Sequence, residues 1–81
     1  MLFRSQQVLA AIDRLLAEAG TDKSRILMAQ IIISDMRHFG DLNKVWEGWV
    51  VAGQTPPRAT IEARLATPKH LVEIIVTAAQ K

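Results

Sequence analysis

Cysteine is absent from this chain. No disulfide can brace the core, and no thiolate can hold a metal or act as a nucleophile. There is no apolar run of the roughly 18 residues that a membrane-spanning helix needs. The opening Met1-Leu2-Phe3-Arg4-Ser5 lacks the long apolar stretch of a secretory signal. Neither a glycine-rich phosphate loop nor a Gly-x-Ser-x-Gly elbow is present. No serine is placed near a histidine on a shared face, so covalent catalysis has little support. Charge of one sign is scarce too. Ten Lys+Arg against eight Asp+Glu leave a net +2, and the basic residues are interspersed where a nucleic-acid binder would gather them on one face. A soluble, cytoplasmic domain is expected, with neither membrane nor nucleic acid as a partner.

What remains is a single small domain of 81 residues. A chain near this size buries only about 60% of the surface it exposes when unfolded, so its stability margin is thin. Its hydrophobic content, 49%, is generous for that length. Either the core is dense or part of the apolar surface meets another subunit.

From Gln6 to Ala19, Val8, Leu9, Ile12, Leu15, Leu16 and Ala19 paint one stripe on a helix, with Asp13, Arg14 and Glu18 off it. Ser5 stands where an N-cap belongs and Gly20 where the C′ residue belongs. After the polar Thr21–Ser24, the run Ile26–Ile33 is apolar at nearly every position. Its length and β-branching favour a strand covered on both faces over a helix. Phe39, Leu42, Val45, Trp46, Trp49 and Val50 then recur at helical spacing, with Asp35 or Asp41 as candidate caps and Gly53 and the prolines as the stop. Arg58–Leu65 alternates strictly, with Arg58, Thr60, Glu62 and Arg64 on one face and Ala59, Ile61, Ala63 and Leu65 on the other. A turn over Ala66–His70 containing Pro68 leads to a last strand, Leu71–Ala79. The short turn predicts that the last two strands pair as an antiparallel hairpin. The order helix, strand, helix, strand, strand defines an α+β domain. Its narrow sheet needs further cover, which oligomerisation would supply.

Arg58 follows the stiff Pro56-Pro57 entry. A guanidinium at a strand end can grip a carboxylate through two parallel hydrogen bonds, and it can equally be a solvated residue on a polar face. Glu73 lies in a strand that is apolar apart from it and Thr77, and a carboxylate there is costly unless it is paired or exposed at a site. It reads as a residue that orients water or moves a proton, or as an ion-pair partner of Arg58 or Arg64 on a neighbouring strand. Thr60 could donate to a bound oxygen or simply favour the strand. Glu62 and Arg64 read as a charge pair. His38 and His70 lack any companion at ligand spacing and read as surface residues, so no metal is expected. Trp46 and Trp49, three apart on a helix, read as core or interface.

The stretch Val8–Gly20 resembles the first helix of the RidA (YjgF-type) reactive-intermediate deaminases. Asp35-Met36 with Phe39, Asn43, Val45-Trp46 and Trp49 is similar to their second helix. Pro57–Leu65, followed by Leu71–Ile74 and Thr77-Ala78, is similar to their final strands, and this last third is the specific part. The resemblance runs from about Gln6 to Ala79 and leaves Met1–Ser5 outside it.

The resemblance implies a chorismate-mutase-like fold in a homotrimer, with three sheets forming a central barrel and clefts between subunits. It implies cofactor-free hydrolysis of enamines and imines, such as 2-aminoacrylate, to 2-keto acids and ammonia. The carboxylate-binding arginine of the family falls on Arg58, its water-positioning glutamate on Glu73, and a cleft-lining asparagine on Asn43. Thr60 stands where many members carry a cysteine. Members carry further strands before their first helix, contributing a tyrosine and a serine-glycine pair to the cleft, and an N-terminally truncated member is expected. The rival expectations are a binding module that captures small carboxylates without turnover and, more weakly, an RNA-directed activity.

Overall fold

The structure, a computed structural model, describes residues 2–67 and 71–81, so Pro68 and His70 of the expected turn lie outside the described residues. Helix α1 spans Leu2–Glu18. Ser5, Leu9, Ile12 and Leu16 lie on its buried side, at the i, i+4, i+7, i+11 spacing that returns to one face. The helix thus begins earlier than expected, and Ser5 is a fully buried member of the core stripe rather than an N-cap. Extending an existing helix by good formers such as leucine and arginine costs little, and the added turn carries Ser5 against the core. The other end agrees with the sequence reading. Gly20 adopts φ 82°, its N–H donates to the Ala17 carbonyl at 3.1 Å, and the Thr21 N–H donates to the Leu16 carbonyl at 2.9 Å. This pair of bonds is the Schellman motif, which needs a left-handed residue at its hinge.

A 3₁₀ turn at Lys23–Arg25 follows, capped by Asp22, whose carboxylate accepts the Ser24 N–H at 2.9 Å. It delivers the chain into β1, Ile26–Ile33. A second 3₁₀ turn, Met36–His38, is capped by Asp35, so this aspartate serves the turn and not the helix after it. Helix α2 spans Phe39–Trp49, with His38 at its N-cap position making no side-chain bond. Strands β2, Arg58–Glu62, and β3, Val72–Ala78, complete a three-stranded sheet in the order β2-β1-β3.

The expected hairpin between β2 and β3 does not form. β2 pairs parallel to β1, β3 pairs antiparallel to it, and they occupy opposite edges. The α2 crossover returns the chain to the starting end of β1, where a second strand can only run parallel. β3 then occupies the other edge, where it finds the remaining free backbone groups of β1. Both ladders extend past their strands: the Ala29 N–H donates to the Pro57 carbonyl at 2.9 Å and the Ala79 N–H to the Arg25 carbonyl at 2.9 Å.

Both helices lie on one face of the sheet. There Ala29, Ile31 and Ile33 of β1 are sealed at 0% exposure, against Leu9, Leu42 and Trp46. The expectation that β1 is covered on both faces holds for one face only within a single chain. On the other, Met28, Ile61 and Ile75 remain 50%, 44% and 46% exposed. A bulge at Leu27, between the pairs Ile26–Ala78 and Met28–Thr77, turns that leucine outward as well. Among the described residues no helix is long and apolar enough to cross a membrane.

Two stability measurements follow from these contacts. Gly20→Ala should cost about 1–2 kcal/mol in urea unfolding, because a Cβ there meets only Gln80 Oε1 at an ordinary 3.7 Å and the penalty is conformational. The Asp22 carboxyl is lowered to about 2 by hydrogen bonds from the Ser24 side chain and Lys81, the latter at 2.9 Å. Its folded-state pKa lies below the ordinary 3.8, so its contribution is whole above about pH 4 and fades as the pH falls towards 2. Thermal melts across that window should show a smaller acid loss in Asp22→Asn than in the parent.

Candidate functional site

The register of β2 decides which way its side chains face. Arg58, Thr60 and Glu62 pair with Ala29, Ile31 and Ile33, the sealed residues of β1, so all three share the helix-covered face. Ala59 and Ile61 pair with Gln30 and Ile32 and point to the open face. The alternation expected of this strand is present, but its polarity is inverted: the polar set faces the helices and the apolar set faces out.

Arg58 is accordingly no solvated surface residue. It is half-buried, and its guanidinium carbon lies 5.7 Å from the Phe39 ring centre and 5.6 Å from that of Trp46. Both distances fall within the range where a cation is drawn to an aromatic face. Its Nη1 is buried and has no hydrogen-bond partner, and the buried hydroxyl of Thr60, two residues along the same face, has none either. Native proteins leave few such groups unpaired, because each forfeits its hydration without recompense. A donor fork and a hydroxyl left open side by side form a site that an anionic oxygen would satisfy.

Asn43 belongs to the same neighbourhood. It lies four residues after Phe39 and three before Trp46 on α2, on the stripe that faces Arg58, and is half-buried. Arg58 and Thr60 therefore share one face, and Asn43 stands on the helix line of the two rings that lie near Arg58. Glu73 is not. It pairs with Ile32 on the open face, is exposed, and sits on the far edge strand from β2. The expected ion pair of Glu73 with Arg58 or Arg64 fails for the same reason, since β2 and β3 are not neighbours.

Glu62 has a different role from the expected pairing with Arg64. Its Oε2 accepts the Met36 N–H at 2.8 Å, tying the end of β2 to the turn that launches α2. Among the described residues the ion pairs are Arg37–Asp35 at 2.5 Å and Lys81–Asp22 at 2.9 Å. The Arg37 hydrogen bond holds the Asp35 carboxyl at about 2. Trp49 is core as expected. Its Nε1 donates to Asp13 at 2.9 Å, and its ring lies 5.5 Å from that of Trp46 at a 40° tilt. Trp46 is core and also a wall of the Arg58 site. Sequence reasoning missed that second role, and Phe39 with it. The available signal was two aromatic residues at i and i+7 flanking Asn43 on one helix line. His38 is half-buried at the start of α2, and among the described residues no group of three or more histidine and carboxylate side chains could hold a metal.

This fold and sequence have close counterparts among known proteins. The family model Ribonuc_L-PSP, described as Endoribonuclease L-PSP, matches residues 4–80. A RutC family protein of Haemophilus ducreyi is 51% identical over 76 residues, which are 94% of this chain and 65% of that protein. The RutC family protein YoaB of Escherichia coli is 45% identical over 76 residues, covering 94% of this chain and 67% of its own. A crystal structure of a YjgF family member from Neisseria meningitidis superposes with a TM-score of 0.93 at 51% identity, over 95% of this chain and 65% of that one. The chain belongs to this family of RutC and YjgF-type proteins. It spans about two thirds of the length of these relatives.

The orphaned hydroxyl makes a prediction about stability. Thr60→Val preserves shape and removes a buried group without a partner, so urea unfolding should show no loss and a gain of up to about 1 kcal/mol. A clear loss would mean that the hydroxyl is already satisfied.

Proposed function

We propose that the chain is a subunit of a cytoplasmic enzyme that hydrolyses reactive enamines and imines of the 2-aminoacrylate type to 2-keto acids and ammonia. The observation that carries this reading is the buried, unpartnered Arg58 Nη1 beside the unpartnered Thr60 hydroxyl. Membership of the RutC and YjgF-type family supports it.

The chemistry suits these groups. The guanidinium of Arg58 takes the substrate carboxylate, the Thr60 hydroxyl donates to one of its oxygens, and the Asn43 amide orients the rest. Fixing the carboxylate fixes the adjacent C=N carbon and removes much of the entropic barrier to attack. Water adds to that carbon with loss of a proton to Glu73, and the proton passes to the nitrogen. The resulting carbinolamine passes its hydroxyl proton to the amine as the C–N bond breaks, which releases ammonia and leaves the ketone. No redox change occurs, and no cofactor is required.

Glu73 and Arg58 lie on opposite faces of one sheet, so a shared role requires a cleft between copies. The apolar open face, with Met28, Ile61 and Ile75 exposed, favours such an assembly. A homotrimer whose sheets close around a common barrel would bury it. The placement of Glu73 also favours a second reading, a module that binds small carboxylates without turning them over.

Ammonia release from 2-aminoacrylate generated in situ separates these readings. Turnover above the buffer rate, lost by at least a hundredfold in Arg58→Ala, is the expected result. Calorimetric binding of pyruvate without turnover would support the second reading, and neither turnover nor binding would defeat both. Salt-resistant binding to RNA would instead favour an activity of the kind named in the family description. Light scattering should give the mass of a trimer, and Ile75→Glu, which places a charge on the open face, should dissociate it.

A further inference from the structure

We infer that Phe39 and Trp46 are positioning residues that hold the Arg58 guanidinium between them for carboxylate capture. This rests on the reading of Arg58 as an anion-binding residue and adds to it the means by which the side chain is held ready.

The geometry is set by α2. Seven residues advance about 10.5 Å along a helix and return within about 20° of the starting direction, so Phe39 and Trp46 lie on one line two turns apart. The guanidinium carbon is nearly equidistant from them, 5.7 Å from one ring centre and 5.6 Å from the other. The guanidinium therefore lies within cation–π range of both rings at once. Glu62, by accepting the Met36 N–H at 2.8 Å, secures the start of α2 to β2 and keeps the wedge aligned.

The chemical consequences are specific. A free arginine loses up to about 2 kcal/mol of rotamer entropy when it grips a ligand, whereas one already lodged between rings loses less. The rings also displace water from the guanidinium, which strengthens its attraction for an anion. Nη1 is buried and makes no hydrogen bond, so the rings restrain the guanidinium without using up this donor. Lysine could not replace arginine here, because an ammonium has neither the planar fork nor the flat faces.

The test is calorimetric titration with pyruvate of the parent, Phe39→Leu, Trp46→Leu, Trp46→Phe and Arg58→Lys, each checked for folding by circular dichroism. Phe39→Leu and Trp46→Leu should weaken binding about tenfold each, in keeping with a desolvated cation–π contact. Trp46→Phe should restore affinity to within about threefold of the parent. Arg58→Lys should fail to bind although its charge is kept. Parent-like affinity in folded Phe39→Leu and Trp46→Leu overturns the inference. Failure of the parent itself to bind pyruvate counts against the proposed function instead. In that event, or should the leucine variants not fold, the Arg58 Nε–H resonance of the parent decides. A ring-shifted, slowly exchanging signal supports the wedge, and a signal averaged to the free-arginine position overturns it.

Discussion

Strand β1 is hydrogen-bonded along both edges, by β2 on one side and β3 on the other, and the rest of the molecule is arranged around that double pairing. The register with β2 is the more consequential of the two. Because Arg58 stands opposite Ala29, it shares the face on which the helices pack. A slip of one residue would turn Arg58, Thr60 and Glu62 to the open side and bring Ala59 and Ile61 inward. The Pro57 carbonyl, accepting the Ala29 N–H, anchors this register immediately before Arg58. The helix launched from the end of β1 then presents Phe39 and Trp46 to the arginine so placed.

The site is a local departure from what stability alone would favour. A guanidinium nitrogen and a hydroxyl are both removed from water without compensation, on a chain whose core is small. The surrounding contacts offset this through burial: Leu42, Ile31 and Ile33 are sealed, and Trp46 nearly so. The aromatic walls stabilise the cation without using its hydrogen-bond donors. In the proposed reading, this is how a half-buried arginine remains available to a carboxylate while the fold persists.

The open face of the sheet presents the opposite problem. Met28, Ile61 and Ile75 leave apolar surface in contact with water, beside the exposed Glu73. The two faces of one sheet thus carry complementary parts of the proposed chemistry. The sheet itself separates them, and in the proposed assembly a cleft shared with a second copy would bring them within reach of one substrate. Assembly and activity are in this reading one requirement.

Much of this was legible from residue order. The apolar stripe of α1, the Schellman end at Gly20, the isoleucine-rich strand and the amphipathic α2 all follow from periodicity, because each depends on contacts made by neighbours along the chain. The alternation of β2, and with it the grouping of Arg58 with Thr60, is likewise local. Which side of the sheet that group faces was not legible, nor was the splitting of β2 and β3 to opposite edges of β1. Nor could spacing reveal that Trp46 would serve the core and Arg58 together, or that Glu73 would be separated from Arg58. Local periodicity determines which residues share a face. Only pairing between strands distant in sequence decides which face is covered, because that choice belongs to the burial of the whole sheet and not to any one segment.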